Sequence, residues 1–169
     1  MLRRVMIPFI REIELSEMEC CAELIRNSFG TVAEEFGLTR QNCPSNGAFI
    51  DATRLKADLV KGARMFGLFY HGELAGFAQL VKKGADAFSL EKLAVHPAYR
   101  HRGYGAYLLS RVRSEAVNAG AEKLLVGIIE ENSRLKDWYL KHGFRSTGTK
   151  RFEHLPFTVG FMEMNLRGE

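Results

Sequence analysis
Apolar residues along this chain fall into short runs of strand length and longer stretches with helical spacing, divided by glycine-bearing turns. Phe9 to Leu15 predicts a first strand, with Pro8 tolerable at its start. Ser16 and Glu19 form a capping-box pattern that opens a helix to about Phe29. Thr31 and Glu34 repeat that spacing and predict a second, short helical turn ended by Gly37. Leu38 to Ile50, with Asn42-Cys43-Pro44-Ser45-Asn46-Gly47 inside it, reads as loop, and Asp51 to Lys61 as helix stopped by Gly62. Met65 to Tyr70 and Leu74 to Val81 form strands joined through His71-Gly72, a hairpin signal. A turn at Lys83-Gly84-Ala85-Asp86 leads into a strand from Phe88 to Val95.

Leu108, Leu109, Val112, Ala116 and Ala119 keep helical spacing, which predicts a helix from about Gly103 to Ala119. The continuous apolar run Leu124 to Ile129 predicts a buried strand parallel to Phe88–Val95. Ser133 to His142 reads as helix ended by Gly143, and Phe144 to Phe152 and Phe157 to Leu166 as a closing antiparallel pair. Strands, then a strand–helix–strand unit, then a returning hairpin imply a mixed sheet of α/β or α+β class. The 169 residues suit one domain, 1–169, without repeats, low-complexity tracts or linkers.

Composition narrows the function classes. A hydrophobic share of 46% with 26% charged residues is ordinary for a globular chain, and no apolar run is long enough to span a bilayer. Met1-Leu2-Arg3-Arg4 is basic and Val5 to Ile10 apolar, but Pro8 interrupts that stretch and Arg11 ends it, so no signal peptide is predicted. Cys20, Cys21 and Cys43 have no metal-ligand spacing and fit reduced thiols in a cytoplasm, and no metal is expected. The net charge of +4 is mild and dispersed outside Arg100–Arg102, and suits an anionic cofactor as well as weak nucleic-acid contact. No basic stripe with interleaved aromatics points to a nucleic-acid partner, and nothing points to a membrane.

The densest chemistry lies at Arg100-His101-Arg102-Gly103-Tyr104-Gly105, where an apolar strand has ended and an amphipathic helix begins. A helix start presents unpaired N–H groups to an anion, glycine allows close approach, and arginine adds charge-assisted hydrogen bonds. A dinucleotide fingerprint needs a third glycine where this chain has Leu108, and no Gly-Lys-Ser/Thr phosphate loop is present. Upstream lies Leu90-Glu91-Lys92-Leu93-Ala94-Val95-His96-Pro97; downstream lie Asn132 and Trp138-Tyr139-Leu140-Lys141-His142-Gly143-Phe144.

This arrangement resembles the GNAT superfamily of acyl-CoA-dependent N-acetyltransferases, over roughly Glu73 to Phe144 by motif and nearly the whole chain by element order. The resemblance implies a GNAT-like α/β (α+β mixed sheet) fold, a splayed mixed sheet of about seven strands flanked by about four to five helices. It implies acetyl-CoA as co-substrate, its pantetheine arm beside Leu93, Ala94 and Val95. The Arg100, His101, Arg102, Gly103, Tyr104, Gly105 and Ala106 loop would hold the pyrophosphate. The N–H near Leu93 would then be the donor to a developing oxyanion.

Period-two alternation puts Glu91 on the face of Ser89, Leu93 and Val95, and the resemblance implies that a carboxylate on this strand serves as base for the substrate ammonium; a salt-bridged structural glutamate is the other reading. Many members of that superfamily carry the acid two positions earlier, where this chain has Ser89. Tyr139 matches the tyrosine that protonates the departing thiolate, and Asn132, two helical turns earlier, a residue touching the pantetheine arm. Core packing for Tyr139 and helix capping for Asn132 are the plainer alternatives, and Trp138 reads as core. The resemblance implies an acceptor wall drawn from Phe29, Glu34, Glu35, Phe36, Phe49, Ile50, Glu153, His154 and Phe157; Glu34, Glu35 and Asp51 suit a cationic amine or simply solvated helix faces, and Cys43 lies in a pocket-side loop. The reading is an N-acetyltransferase acting on a small-molecule or peptide amine by direct transfer in a ternary complex, with a homodimer left open. A non-catalytic acyl-CoA-binding or sensing module is the alternative.

Overall fold
The computed structural model of the chain describes residues 6–168, so Met1 to Val5 of the basic start lie outside the described residues. The elements in chain order are β1 (Phe9–Glu12), α1 (Met18–Glu35), α2 (Ala52–Val60), β2 (Arg64–Tyr70), β3 (Glu73–Lys83), β4 (Ala87–Val95), α3 (Tyr104–Asn118), β5 (Lys123–Ile129), α4 (Ser133–Lys141), β6 (Arg145–Arg151) and β7 (Thr158–Asn165). Among the described residues seven strands make one mixed sheet in the order β1-β2-β3-β4-β5-β7-β6. The last hairpin folds back so that β7, not β6, lies against β5.

Two core clusters mark the two faces of the sheet. Met18, Ile25 and Leu55 from α1 and α2 pack with Phe77 and Ala94 on one face. Leu108 and Val112 of α3 and Tyr139 of α4 pack with Phe88, Leu90 and Met162 on the other. A third, small cluster of Ala33, Leu38 and Cys43 meets Ile129, Leu155 and Phe157, joining the end of α1 to the far half of the sheet.

Two helix signals fall differently from their pattern. The expected break at Thr31 is absent, because α1 runs unbroken for 18 residues. Gly30 has open space around it, and Thr31 Oγ1 donates back to the Ser28 carbonyl at 3.0 Å, so neither ends the helix. Burial of Ile25 and Ala33 on either side outweighs a helical glycine's cost of about 1 kcal/mol. Gly37, at φ +64°, does end it: Leu38 N–H donates to Ala33 O at 2.8 Å and Gly37 N–H to Glu34 O at 3.3 Å. The Ser16–Glu19 box does not form either. Arg11 holds the Glu17 carboxylate at 2.6 and 2.9 Å, and Glu17 Oε2 instead accepts from Glu14 N–H at 2.8 Å.

Candidate active site
The parallel strands β4 and β5 are paired only at their beginnings. Their register covers Ala87↔Lys123, Phe88↔Leu124 and Ser89↔Leu125, although β4 runs on to Val95 and β5 to Ile129. Beyond Ser89 the β5-facing backbone groups of β4 have no strand partner among the described residues. The strands open into a cavity of about 1280 Å³ that reaches both faces of the sheet. Unpaired strand backbone in such an opening is suited to an extended amide-bearing ligand, which can pair as a strand would.

A bulge in β4 helps to open the slot. Gln79 pairs with Glu91 and Phe77 with Ala94, so Ala78 alone stands opposite both Lys92 and Leu93. Lys92 has φ +52°. A bulge bends its strand and offsets the side-chain alternation. Phe88 and Leu90 face α3, yet so do Leu93 and Val95, while Ala94 packs under α1 and α2. Strict alternation therefore fails here, and Glu91 does not share a face with Leu93 and Val95. Glu91 stands opposite Gln79, whose amide donates to Asp58 of α2, and so faces the α1–α2 side.

Glu91, Leu93, Arg100, Asn132 and Tyr139 all border the cavity. Lys83 Nζ and Lys92 Nζ lie 3.7 and 3.8 Å from the Glu91 carboxylate. Tyr139 is 5% exposed and packs edge-on against Trp138 and Phe144. Burial pushes its phenol well above the usual value, so the ring keeps its proton at neutral pH. Among the described residues its hydroxyl has no hydrogen-bond partner, yet it is not sealed from solvent. Asn132 caps α4, accepting from Leu135 N–H at 3.2 Å, and lines the cavity as well.

The arginine-glycine loop is built differently from a ring of free cations. Arg100 is turned toward α1, donating to Ser28 O and to Thr31 Oγ1, each at 3.0 Å. Arg102 lies over the Tyr99 ring at 5.2 Å, and Tyr104 is buried in the α3-side core. Ala94 is core, and neither it nor Val95 borders the cavity. What the loop offers is its backbone. Gly103 sits at φ +80°, and nothing lies within 4 Å of the place where a Cβ would stand. Tyr107 N–H is bonded to Gly103 O, which leaves the preceding turn's N–H groups outside the helix ladder. A Cβ on Gly105 would stand 3.4 Å from Trp138, so α3 begins directly beside α4.

The opposite side of the cavity collects residues far apart in sequence. Phe29, Phe49, Ile50, Asp51 and Phe157 line it as expected, whereas Glu34, Glu35, Phe36, Glu153 and His154 do not. Asp51 caps α2 through Arg54 N–H, and Glu35 pairs with Arg134. Arg26 braces this wall by donating to Ile50 O at 2.8 Å. Gly127 of β5 and Phe161 of β7, directly opposite one another, complete the wall and carry no signal in the sequence. Burial pushes the Cys43 thiol up, which holds it protonated rather than as a nucleophilic thiolate.

Residues 32–144 match the family model described as the acetyltransferase (GNAT) family. An uncharacterised N-acetyltransferase of Mycobacterium bovis is 31% identical over 83 residues, 49% of this chain and 53% of that protein; the chain thus matches about half the length of this curated relative. The ribosomal-protein-S18-alanine N-acetyltransferase of Escherichia coli superposes with a TM-score of 0.77 at 17% identity, over 96% of each chain. The PaiA N-acetyltransferase of Thermoplasma acidophilum, solved in complex with coenzyme A, gives 0.74 at 22% identity, over 95% of this chain and 99% of that one. A divided parallel strand pair, a glycine-opened helix beside it and a matched stretch covering most of the sequence agree: the chain belongs to the acetyltransferase (GNAT) family.

Proposed function
We propose that the chain is an N-acetyltransferase, moving an acetyl group from acetyl-CoA to a primary amine of a small-molecule or peptide acceptor by direct transfer in a ternary complex. One observation carries the reading: the opening between β4 and β5 brings Glu91, the displaced backbone at Leu93 and the protonated Tyr139 to one cavity. The residues present fit CoA as ligand. The unpaired edge of β4 offers backbone to the amides of a pantetheine arm, and the free N–H groups around Gly103 to Ala106 suit a pyrophosphate. Arg100, engaged with α1, braces that loop rather than reaching outward.

Acetyl-CoA supplies an activated thioester, and the chain's own groups manage protons and charge. An aliphatic amine has a pKa near about 10 and is mostly ammonium at neutral pH, so Glu91 takes its proton, directly or through water. The nitrogen then bonds to the carbonyl carbon as the carbon–sulfur bond breaks. The Leu93 N–H donates to the oxygen that gathers charge, an interaction of the kind worth about 3–4 kcal/mol. Tyr139 gives its proton to the departing sulfur.

An amine-acceptor screen that reads free CoA thiol, paired with calorimetric titration of acetyl-CoA, tests the reading. Acetyl-CoA binding with thiol release above the amine-free rate supports it. Binding without turnover across a broad panel identifies a sensing module instead, and absence of binding overturns both.

A further inference from the structure
Lys92 occupies a backbone region that residues with side chains populate sparsely. His71 and His101 share the positive φ, but both lie in turns; among the described residues Lys92 is the one non-glycine that adopts it inside a strand. Its ammonium turns to the α1–α2 face. There Lys92 Nζ stands 3.1 Å from Asp58 Oδ2 of α2 and 3.4 Å from Gln79 Oε1 of β3, while Gln79 Nε2 donates to the same Asp58 oxygen at 3.2 Å. Arg54 Nε approaches the other Asp58 oxygen at 3.3 Å. Gln79 is 1% exposed, and the Lys92 and Asp58 side chains are 15% and 12% exposed. Burial alone would raise the Asp58 carboxyl, but the hydrogen bonds from Lys92 and Gln79 hold it below its usual value.

A half-desolvated trio of this kind is an expensive way to stabilise a fold, since apolar side chains of similar volume serve at least as well. Its geometry suggests another use. The three residues come from α2, β3 and β4, and they meet at the one point where β4 leaves its register. The consequence of that departure is the reversed alternation that turns Leu93 toward α3 and leaves Glu91 facing α2.

We propose that Asp58, Gln79 and Lys92 form a polar tether from α2 that holds Lys92 in its left-handed conformation and thereby fixes the position of the Leu93 backbone in the slot. They are positioning residues: none has to touch substrate. The catalytic consequence rests on the N-acetyltransferase reading; the conformational one does not.

Glycine separates conformation from charge, because it adopts positive φ without a tether. Lys92→Ala removes the tether and leaves the strain, so the bulge relaxes. The strong intraresidue amide–Hα NOE that marks positive φ is lost at residue 92, and kcat falls by about 10- to 100-fold, the scale of a misplacement of about 1 Å. Acetyl-CoA affinity changes by less than kcat. Lys92→Gly keeps the positive φ and recovers most of the lost rate. Asp58→Ala slows the native chain but adds nothing to Lys92→Gly, the non-additivity expected of residues acting through one conformation. A Lys92→Gly protein as slow as Lys92→Ala would overturn the proposal, showing that the ammonium itself is required. So would a retained NOE in Lys92→Ala, or an additive loss in the double variant. If Lys92→Ala fails to fold, Asp58→Ala removes the acceptor on which the tether converges and is read by the same NOE. The NOE and calorimetry decide the conformational claim even if no amine is acetylated.

Discussion

The two strands that wall the slot are built on opposite principles. In β5, seven consecutive residues from Lys123 to Ile129 pair one for one with Asn165 to Val159 of β7, with no register shift and, after Lys123, no charged residue. In β4 the ladder to β3 slips at Ala78, a lysine takes positive φ, and Glu91 and Lys92 bring charge to the cavity side. The regular wall contributes shape and apolar surface. The irregular one contributes a displaced backbone and titratable groups. On the proposed reading the chemistry collects where the local pattern is broken, the kind of place where backbone strain is kept at functional sites.

The sharpest way to test that asymmetry is at the residue that α4 brings to the cavity. Tyr139→Phe keeps the ring and its packing against Trp138 and Phe144, and loses only a hydroxyl without a hydrogen-bond partner among the described residues. Stability should scarcely change. The single-turnover rate should fall by about 10²–10⁴, the usual range for an acid–base group, while acetyl-CoA affinity stays nearly constant. An unchanged single-turnover rate would remove Tyr139 from the chemistry and leave the acid to be sought on β4 itself.

Glu91→Gln asks whether the charge on the irregular wall is catalytic or only part of its ion pairs with Lys83 and Lys92. As base, Glu91 gives the pH–rate profile its low-pH limb; the variant should lose that limb and about 10² in rate, with acetyl-CoA binding retained. If the limb stays where it was, Glu91 is a salt-bridged structural glutamate and the proton leaves by another route.

The elements around the slot were legible because their signals are local: strand end, glycine-opened helix and the Asn132–Tyr139 spacing are each written within a few turns of chain. Alternation failed at Glu91 because the bulge depends on Asp58, more than thirty residues away, and no local pattern encodes that contact. Arg100 reads as an anion ligand by composition, yet it spans 72 residues to reach Ser28 O. The wall made by Gly127 and Phe161 was invisible for a related reason. It depends on β7 inserting between β5 and β6, which hydrophobic period alone does not specify.

Gly127 probes the regular wall. It is exposed in mid-strand, and a Cβ there meets only Val159 Cγ1, at 3.8 Å. Gly127→Val should therefore fold well and gain slightly from strand propensity. The added methyls narrow the cavity beside Phe161, so KM for a bulky amine should rise by about tenfold, or 1.4 kcal/mol, with kcat and acetyl-CoA affinity little changed. A fall in kcat instead would mean that β5 also positions reacting groups, and the contrast between the walls would weaken.

The smallest effect concerns what charge on the irregular wall does for stability. Asp58→Asn keeps an oxygen acceptor for Lys92 and Gln79 but removes the negative charge between them. Burial works to raise the native carboxyl, the hydrogen bonds to Lys92 and Gln79 outweigh it, and its folded value lies below the unfolded one. A carboxylate depressed in this way contributes stability that is fully present above the unfolded pKa of about 3.9 and fades as pH falls through the folded value. Denaturant titrations of the two proteins should thus differ by about 1 kcal/mol at pH 7, in favour of the native chain. The gap should begin to close below about pH 4, where the unfolded chain takes up a proton that the folded carboxyl still refuses, and should be lost once pH falls below the folded value. Other depressed carboxylates, such as Glu17 hydrogen-bonded to Arg11, titrate in the same region but are common to both proteins and cancel. A gap that stays constant with pH would mean that shape rather than charge sustains the contact, and that the bulge in β4 is held by packing alone.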